Sequence, residues 1–159
     1  GDIETMELPE GDLYLSNAVF QWTADPGRLF GRIAEKLGDG GFLGFTTFGP
    51  EMLREISALT GGGLAYRTGE EWVALLDANG FDVLAAREEL LTQEFASPLD
   101  ALKSLKATGV TAAAPAARWT RRKLAEFCAA YTGKFWLENG NCPLTYHPIA
   151  LVAKKRERK

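Results

Sequence analysis

The sequence predicts an α/β fold built around a parallel sheet, and three consecutive signals carry that prediction. Leu13-Tyr14-Leu15-Ser16-Asn17 is a short apolar run closing on polar residues, the pattern of a buried strand entering a loop. Asp25-Pro26 then starts a helix, because Asp caps and Pro suits the first helical position. Its apolar residues Leu29, Phe30, Ile33, Ala34 and Leu37 share one face. Gly38 is the natural stop, Asp39-Gly40-Gly41 a turn, and Phe42 to Thr47 the next strand. Strand, helix, glycine turn and strand make a β-α-β unit, which should be parallel with a right-handed crossover.

The other elements follow along the chain. After Pro50, residues 51–59 read as helix, and Gly61-Gly62-Gly63 breaks it. Thr68, with Glu71 three residues on, is a capping box opening a helix that buries Trp72, Leu75 and Leu76 and ends at Asn79-Gly80. Residues 81–95 read as one long strand, with the charges Arg87-Glu88-Glu89 in its middle. Ser97-Pro98-Leu99-Asp100 opens a capped helix that turns Leu102 and Leu105 inward and ends near Gly109. The alanine-rich stretch from Ala112 to Ala117 reads as a loop. Thr120 caps a helix with the apolar face Leu124, Phe127, Cys128 and Tyr131, and a turn at 139–141 precedes a final strand over 144–153. With no internal repeat and no domain boundary, one α/β unit is expected.

Composition excludes several classes. The chain has 159 residues, 46% hydrophobic and 25% charged, ordinary for a globular domain with a real core. No apolar run approaches the ~20 residues of a membrane helix, and Gly1-Asp2-Ile3-Glu4 reads as no leader. No membrane association is therefore expected. A net charge of −3 argues against a nucleic-acid partner. The basic end, Lys154 to Lys159, reads as a solvated tail. Cys128 and Cys142 lack metal-ligand spacing, and the single His147 cannot build a metal site alone, so no metal is expected. Cys128, on an apolar helix face, reads as a small core residue in a reducing compartment, which points to the cytoplasm.

Gly1-Asp2-Ile3-Glu4, Leu8-Pro9, Asp12-Leu13 and Ser16-Asn17, with Gly40-Gly41 further on, resemble the class I S-adenosylmethionine-dependent methyltransferases. In that pattern an acidic segment leads into the fourth strand, Ser16 to Trp22 is similar to the active-site loop after it, and Gly40-Gly41 precedes the fifth. The Ser-Asn-x-x-x-Gln-Trp loop, Thr46-Thr47-Phe48-Gly49-Pro50, Ser104-Leu105-Lys106 with Gly109, and Pro143-Leu144-Thr145-Tyr146-His147 narrow the resemblance. They are similar to the malonyl-acyl-carrier-protein O-methyltransferase family of biotin synthesis, over nearly the whole chain. The resemblance implies a partial Rossmann-like methyltransferase sheet, parallel with an antiparallel last strand, in a single domain over residues 1–159. It also implies a helical substrate lid at about 97–131. The expected activity is methyl transfer from S-adenosyl-L-methionine to the carboxylate of malonyl-acyl carrier protein. The rival readings are a methyltransferase of another small acid and a non-catalytic carrier-protein-binding module. The family's Gly-rich cofactor loop and the acidic residue ending its second strand have no counterpart in residues 1–159. The chain is therefore expected to be a fragment, inactive by itself.

Methylation of an ionised carboxylate needs no obligatory general base, so no residue is assigned a catalytic role. What the site needs is orientation, exclusion of water and a cation or hydroxyl for the malonyl head. For the cofactor, the resemblance implies Asp2 near the exocyclic amine of adenine and the Ile3 amide on the ring. Asn17 joins them at the carboxyl edge of its strand, where open α/β sheets bind ligands, or is simply a cap. Gln21 and Trp22 continue that loop, and Trp22 is either a pocket wall or a core residue. Arg67 offers a fork to a carboxylate or is a solvated loop arginine. Lys106 shares a helix face with Lys103, either solvated or facing the acidic carrier, and Arg121-Arg122-Lys123 offers a second anion-friendly spot. Tyr146, with His147, faces the substrate or belongs to a satisfied half-buried pair. If the first strand of the family fold is absent, residues 13–17 become an exposed apolar edge, and self-association through it is expected.

Overall fold

The β-α-β unit forms as its caps dictate. Asp25 Oδ1 accepts the Arg28 amide at 2.9 Å and Pro26 takes the first helical position of α1 (Pro26–Lys36). Strand β1 (Gly11–Asn17) precedes it, and β2 (Leu37–Phe48) follows and pairs with β1 in parallel. The chain continues through α2 (Arg54–Thr60), α3 (Gly69–Ala78), β3 (Phe81–Glu88), β4 (Leu91–Phe95), α4 (Pro98–Ala107), α5 (Arg121–Phe135), β5 (Cys142–Tyr146) and β6 (Pro148–Lys155). The structure, a computed structural model, describes residues 2–107 and 120–157. The helix end at Gly109 and the alanine-rich loop lie outside the described residues.

Two compact units divide the chain. The first comprises Gly1–Pro50, Tyr66–Glu89 and Pro148–Lys159, and the second Glu51–Ala65 and Leu90–His147. In the first, the strand order is β1-β2-β6-β3, with β6 antiparallel to both neighbours, so β1, β2 and β3 run parallel around one antiparallel last strand. Its core is an aromatic cluster of Phe20, Phe30, Phe45 and Trp72, with ring centroids 4.9 to 6.0 Å apart and every ring buried. Leu29, Ile33 and Leu37 from the α1 side and Leu76 from α3 complete it, as their periodicity requires. Thr68 and Glu71 form the capping box of α3, with both reciprocal bonds present. The opposite face of this sheet carries Leu13 and Leu15 of β1, Phe42 of β2 and Val152 of β6, all exposed.

In the second unit β4 and β5 pair antiparallel, and α2, α4 and α5 bury Ile56, Leu105, Phe127, Tyr131 and Leu144. Its polar centre is Glu55, 2% exposed, whose carboxylate accepts the Thr145 amide at 2.9 Å and the Thr145 hydroxyl. The Leu53 amide returns a bond to Thr145 O at 2.8 Å. Tyr131 donates its hydroxyl to Pro143 O. Burial first, then the Glu55 charge, pushes this phenol well above the usual tyrosine range.

Six expectations are corrected. Gly38 is not the helix stop: Leu37 caps α1 in extended backbone and already pairs with Gly11. The expected Asp39-Gly40-Gly41 turn is absorbed as an irregularity inside β2, five steps (37 to 42) facing two on β1 (11 to 13), with Gly40 at φ +74°. The strand expected over 81–95 is two strands, β3 and β4, in different sheets, and so is the one expected over 144–153, as β5 and β6. The second break falls at Pro148, which has no amide to donate to a continuous ladder. In α4, Ala101 and Leu105 are the buried pair and Leu102 is half-buried, because residues four apart share the inward line. Cys128 is likewise half-buried, and the fully buried cysteine is Cys142, whose Sγ lies 3.4 Å from Phe95 O.

Candidate functional site

The carboxyl ends of β1 and β2 gather the site of the first unit. Asn17 ends β1 opposite Thr46, whose hydroxyl donates to Asn17 Oδ1. The Ala18 amide donates to Thr46 O at 3.0 Å, and Ala18 itself sits at φ +53°, a left-handed conformation that costs a non-glycine residue about 1 kcal/mol. That sharp corner releases the chain into the single 3-10 turn Phe20–Trp22. Gln21 is gripped at both ends: its amide nitrogen donates to Ala18 O at 2.7 Å, and its oxygen accepts the Thr47 hydroxyl at 3.2 Å. Phe20 goes into the core, while Trp22 is 48% exposed, so the core placement considered for Trp22 belongs to its neighbour.

Asp2 and Ile3 lie in a closed turn. The Thr5 and Met6 amides donate to Asp2 O at 3.1 and 2.8 Å, and Asp2 Oδ1 accepts the Glu4 amide at 2.9 Å. Glu4 Oε1 accepts both the Ala24 and Asp25 amides at 3.0 Å, which places this turn beside the start of α1 and the loop leaving β1. Asp2 keeps its carboxylate exposed, and Ile3 packs partly on the core. The donor set therefore suits the adenosyl part of S-adenosylmethionine: a carboxylate at the surface to accept from an amine, held on backbone that is already ordered.

Arg67 comes to the same edge. Tyr66 stands edge-on to Phe48, two residues beyond Thr46 on β2, and burial raises the Tyr66 phenol pKa above its ordinary value. The Arg67 guanidinium stacks over the Trp72 ring at 5.6 Å. Among the described residues no carboxylate pairs with it, so its fork keeps donors for an external anion.

Lys106 and Tyr146 belong to the second unit. Lys106 is exposed on α4, and its helix neighbour Lys103 is tied to Asp100 at 2.9 Å. Arg122 pairs with Glu126 at 3.7 Å. Tyr146 is half-buried in β5, paired with Leu91. His147 is fully buried rather than half-buried, and its Nδ1 accepts the Glu51 amide at 3.1 Å. Among the described residues no group of three or more potential ligands could hold a metal.

The sequence offers no sign of Arg32 and Glu55, and it carries Glu4, Thr46 and Thr47 only as motif residues without a role. Arg32 sits on the polar side of an amphipathic helix and Glu55 in an unremarkable helical run, so nothing in the pattern distinguished either from a solvated charge.

No family model matches the chain. Among curated proteins, a malonyl-acyl-carrier-protein O-methyltransferase of Acinetobacter baylyi is 39% identical over 98% of this chain and 62% of its own length. Those of Bacteroides fragilis and Bacteroides helcogenes are each 42% identical, over 98% and 99% of this chain and 32% and 57% of theirs. The chain is a relative of the malonyl-acyl-carrier-protein O-methyltransferases. It spans less than two thirds of the length of these relatives. Among solved structures, the YcgJ protein of Bacillus subtilis aligns with a TM-score of 0.63 at 14% identity, covering 99% of this chain and 70% of that one. An S-adenosylmethionine-dependent methyltransferase of Mesorhizobium loti aligns at 0.52 and 18%, covering 98% and 68%. The fold of this relative of the malonyl-acyl-carrier-protein O-methyltransferases is thus the class I methyltransferase sheet in part, parallel with an antiparallel last strand.

Proposed function

We propose that this chain serves methyl transfer from S-adenosyl-L-methionine to the free carboxylate of malonyl-acyl carrier protein, a step in biotin synthesis. What carries the reading is identity of 39 to 42% with named malonyl-acyl-carrier-protein O-methyltransferases across 98 to 99% of the chain. The carboxyl edge described above supports it, because that is where open α/β sheets bind ligands.

S-adenosylmethionine, when bound, supplies an electrophilic methyl group on a sulfonium. The malonyl carboxylate is ionised near neutral pH and brings its own lone pair, so the chain has to orient rather than activate it. Asp2 and Ile3 receive the adenine, and Asn17 orients the cofactor from the end of β1. Gln21, held rigid between Ala18 and Thr47, and the exposed Trp22 wall the transfer pocket and exclude water. Arg67 holds the malonyl head through a fork that no carboxylate among the described residues occupies. Lys106 and Tyr146 meet the carrier and its arm, and the segment 97–131 acts as the substrate lid of a single domain. The setting is cytoplasmic. Among the described residues no helix is long and apolar enough to cross a membrane.

Titration with S-adenosylhomocysteine, followed by a methyl-transfer assay on malonyl- and acetyl-acyl carrier protein, tests this reading. For the longer protein of which this chain is proposed to be a part, methylation of the malonyl carrier alone is the expected result. Equal methylation of free malonate would move the assignment to another small acid. A chain that binds the carrier but not S-adenosylhomocysteine would be a non-catalytic carrier-binding module, a rival kept in view by the span of less than two thirds of the relatives' length.

Self-association through β1 belongs to the same proposal. β1 is the outer strand of its sheet, pairing with β2 only among the described strands, and Leu13 and Leu15 are 58% and 77% exposed.

A further inference from the structure

We propose that Arg32 and Glu4 are positioning residues that lock the Asp2–Met6 turn and the loop entering α1 into one body, so that the two loops of the site cannot move apart. The inference rests on the reading that Asp2 and Ile3 receive the adenosyl group, and it assigns roles to Arg32, which no motif singled out, and to Glu4, which the sequence offered only as the last residue of the Gly1–Glu4 motif.

The geometry is unusual for a helix-face arginine. Arg32 Nη1 donates to Glu4 O at 2.6 Å and to Ile3 O at 3.1 Å, and Nη2 donates to Met6 O. Three of its five N–H donors go to three carbonyls of one five-residue turn, and no carboxylate among the described residues pairs with it. A rigid planar fork satisfies three carbonyls only when they converge, so the bonds select a single conformation of the turn. Glu4 works in the opposite direction. Its carboxylate leaves the turn and accepts the Ala24 and Asp25 amides, groups that otherwise face solvent just ahead of α1. Asp25 is the cap of α1, and Arg32 lies two turns further along that helix. The turn is thus clamped at two points of one rigid element.

The consequence concerns the site. Residues 18–25 carry Gln21 and Trp22 and are anchored by the Ala18 corner at one end and by Glu4 at the other. A ligand that orders Asp2 and Ile3 then finds Gln21 and Trp22 already placed, and the ordering cost is met in the free protein. Lysine cannot substitute for Arg32, because a single ammonium on a flexible stem does not span three carbonyls.

The test is amide hydrogen exchange on the full 159-residue chain, read at Thr5, Met6, Ala24 and Asp25, for Arg32→Met, Arg32→Lys and Glu4→Ala, with S-adenosylhomocysteine affinity by calorimetry. Arg32→Met should speed exchange at least about tenfold at Thr5 and Met6 and also at Ala24 and Asp25, with about tenfold weaker affinity. Arg32→Lys should behave like Arg32→Met. Glu4→Ala, at a half-buried surface position that leaves the core intact, should loosen Thr5 and Met6 from the other side. Loops that respond only to the variant on their own side, or full rescue by lysine, would overturn the clamp. Coupled loops with unchanged affinity would overturn the positioning role while leaving the clamp standing. Failure of the wild-type chain to bind S-adenosylhomocysteine would overturn the adenosyl reading itself, before any variant is made, and the exchange data would then decide the clamp alone.

Discussion

At the scale of single residues, Arg67 and the left-handed Ala18 stand at the proposed site. Arg67 stacks on Trp72 and pairs with no carboxylate among the described residues, so on the proposed function its removal from the longer protein should be felt in substrate binding more than in turnover. Arg67→Ala is expected to raise KM for malonyl-acyl carrier protein about tenfold or more with a smaller change in kcat, and Arg67→Lys should recover only part, since a lysine loses the bidentate geometry. Steady-state kinetics decide between this and a solvated arginine, which would leave both constants unchanged. Ala18 holds a left-handed corner that glycine adopts freely. Ala18→Gly should therefore change thermal stability by less than about 1 kcal/mol, relief of strain offsetting the entropy gained by the unfolded chain. Tyr131 carries part of the alkaline pH dependence of the second unit, beside the Cys128 and Cys142 thiols, whose pKa burial also raises. Burial raises its phenol pKa in the folded state, so the stabilisation is complete below the unfolded tyrosine value near 10 and is lost as pH rises above it. Denaturant melts from pH 8 to 11 should show the second unit weakening above about pH 10, and Tyr131→Phe should reduce that slope, the buried thiols keeping the remainder, while also removing the hydroxyl bond to Pro143.

At the scale of elements, α3 is held by a local cap and α2 by a contact with a distant strand. The Thr68–Glu71 box sets the start of α3, and Thr68→Ala should cost about 1 kcal/mol by chemical denaturation. In α2 the device is Glu55, which turns a buried carboxylate on the Thr145 amide and hydroxyl. Glu55→Ala leaves both donors buried without an acceptor, and a loss of about 2 to 4 kcal/mol is expected, whereas Glu55→Gln keeps an acceptor and should lose less. These devices differ in legibility. The Asp25-Pro26 start, the Thr68 box and the Thr120 cap are local chemistry, so they stand in the sequence. The ends at Gly38 and at 88–91 were misplaced because pairing with a distant strand decided them. Leu37 is extended because Gly11 pairs with it, and residues 81–95 break because their two halves join different sheets.

At the scale of the whole molecule, coverage of apolar surface governs behaviour. The sheet of the first unit buries Leu43, Phe45 and Leu151 on one face and leaves Leu13, Leu15, Phe42 and Val152 exposed on the other. Parallel sheets are normally covered on both faces, and an outer strand bearing exposed leucines recruits partners. Light scattering should therefore find species larger than the monomer, and Leu15→Lys should shift them toward monomer. A wild-type chain that is monomeric at high concentration would remove the self-association proposal.

The sequence by itself determined the β-α-β unit, the capped starts of α1, α3, α4 and α5, the core face of α1 and the likeness to the malonyl-acyl-carrier-protein O-methyltransferases. These follow from local capping, periodicity and motifs, which need no knowledge of distant partners. Only the tertiary structure decided that Phe20 rather than Trp22 enters the core, that Gln21 is gripped at both ends, and that Glu55 meets Thr145 across 90 residues. It also turned Arg32 from a polar-face residue into the bond between α1 and the Asp2–Met6 turn. Hydrogen bonds of such long sequence separation leave no periodic trace, because a charged side chain on a helix looks the same whether its partner is water or a carbonyl brought in by the fold.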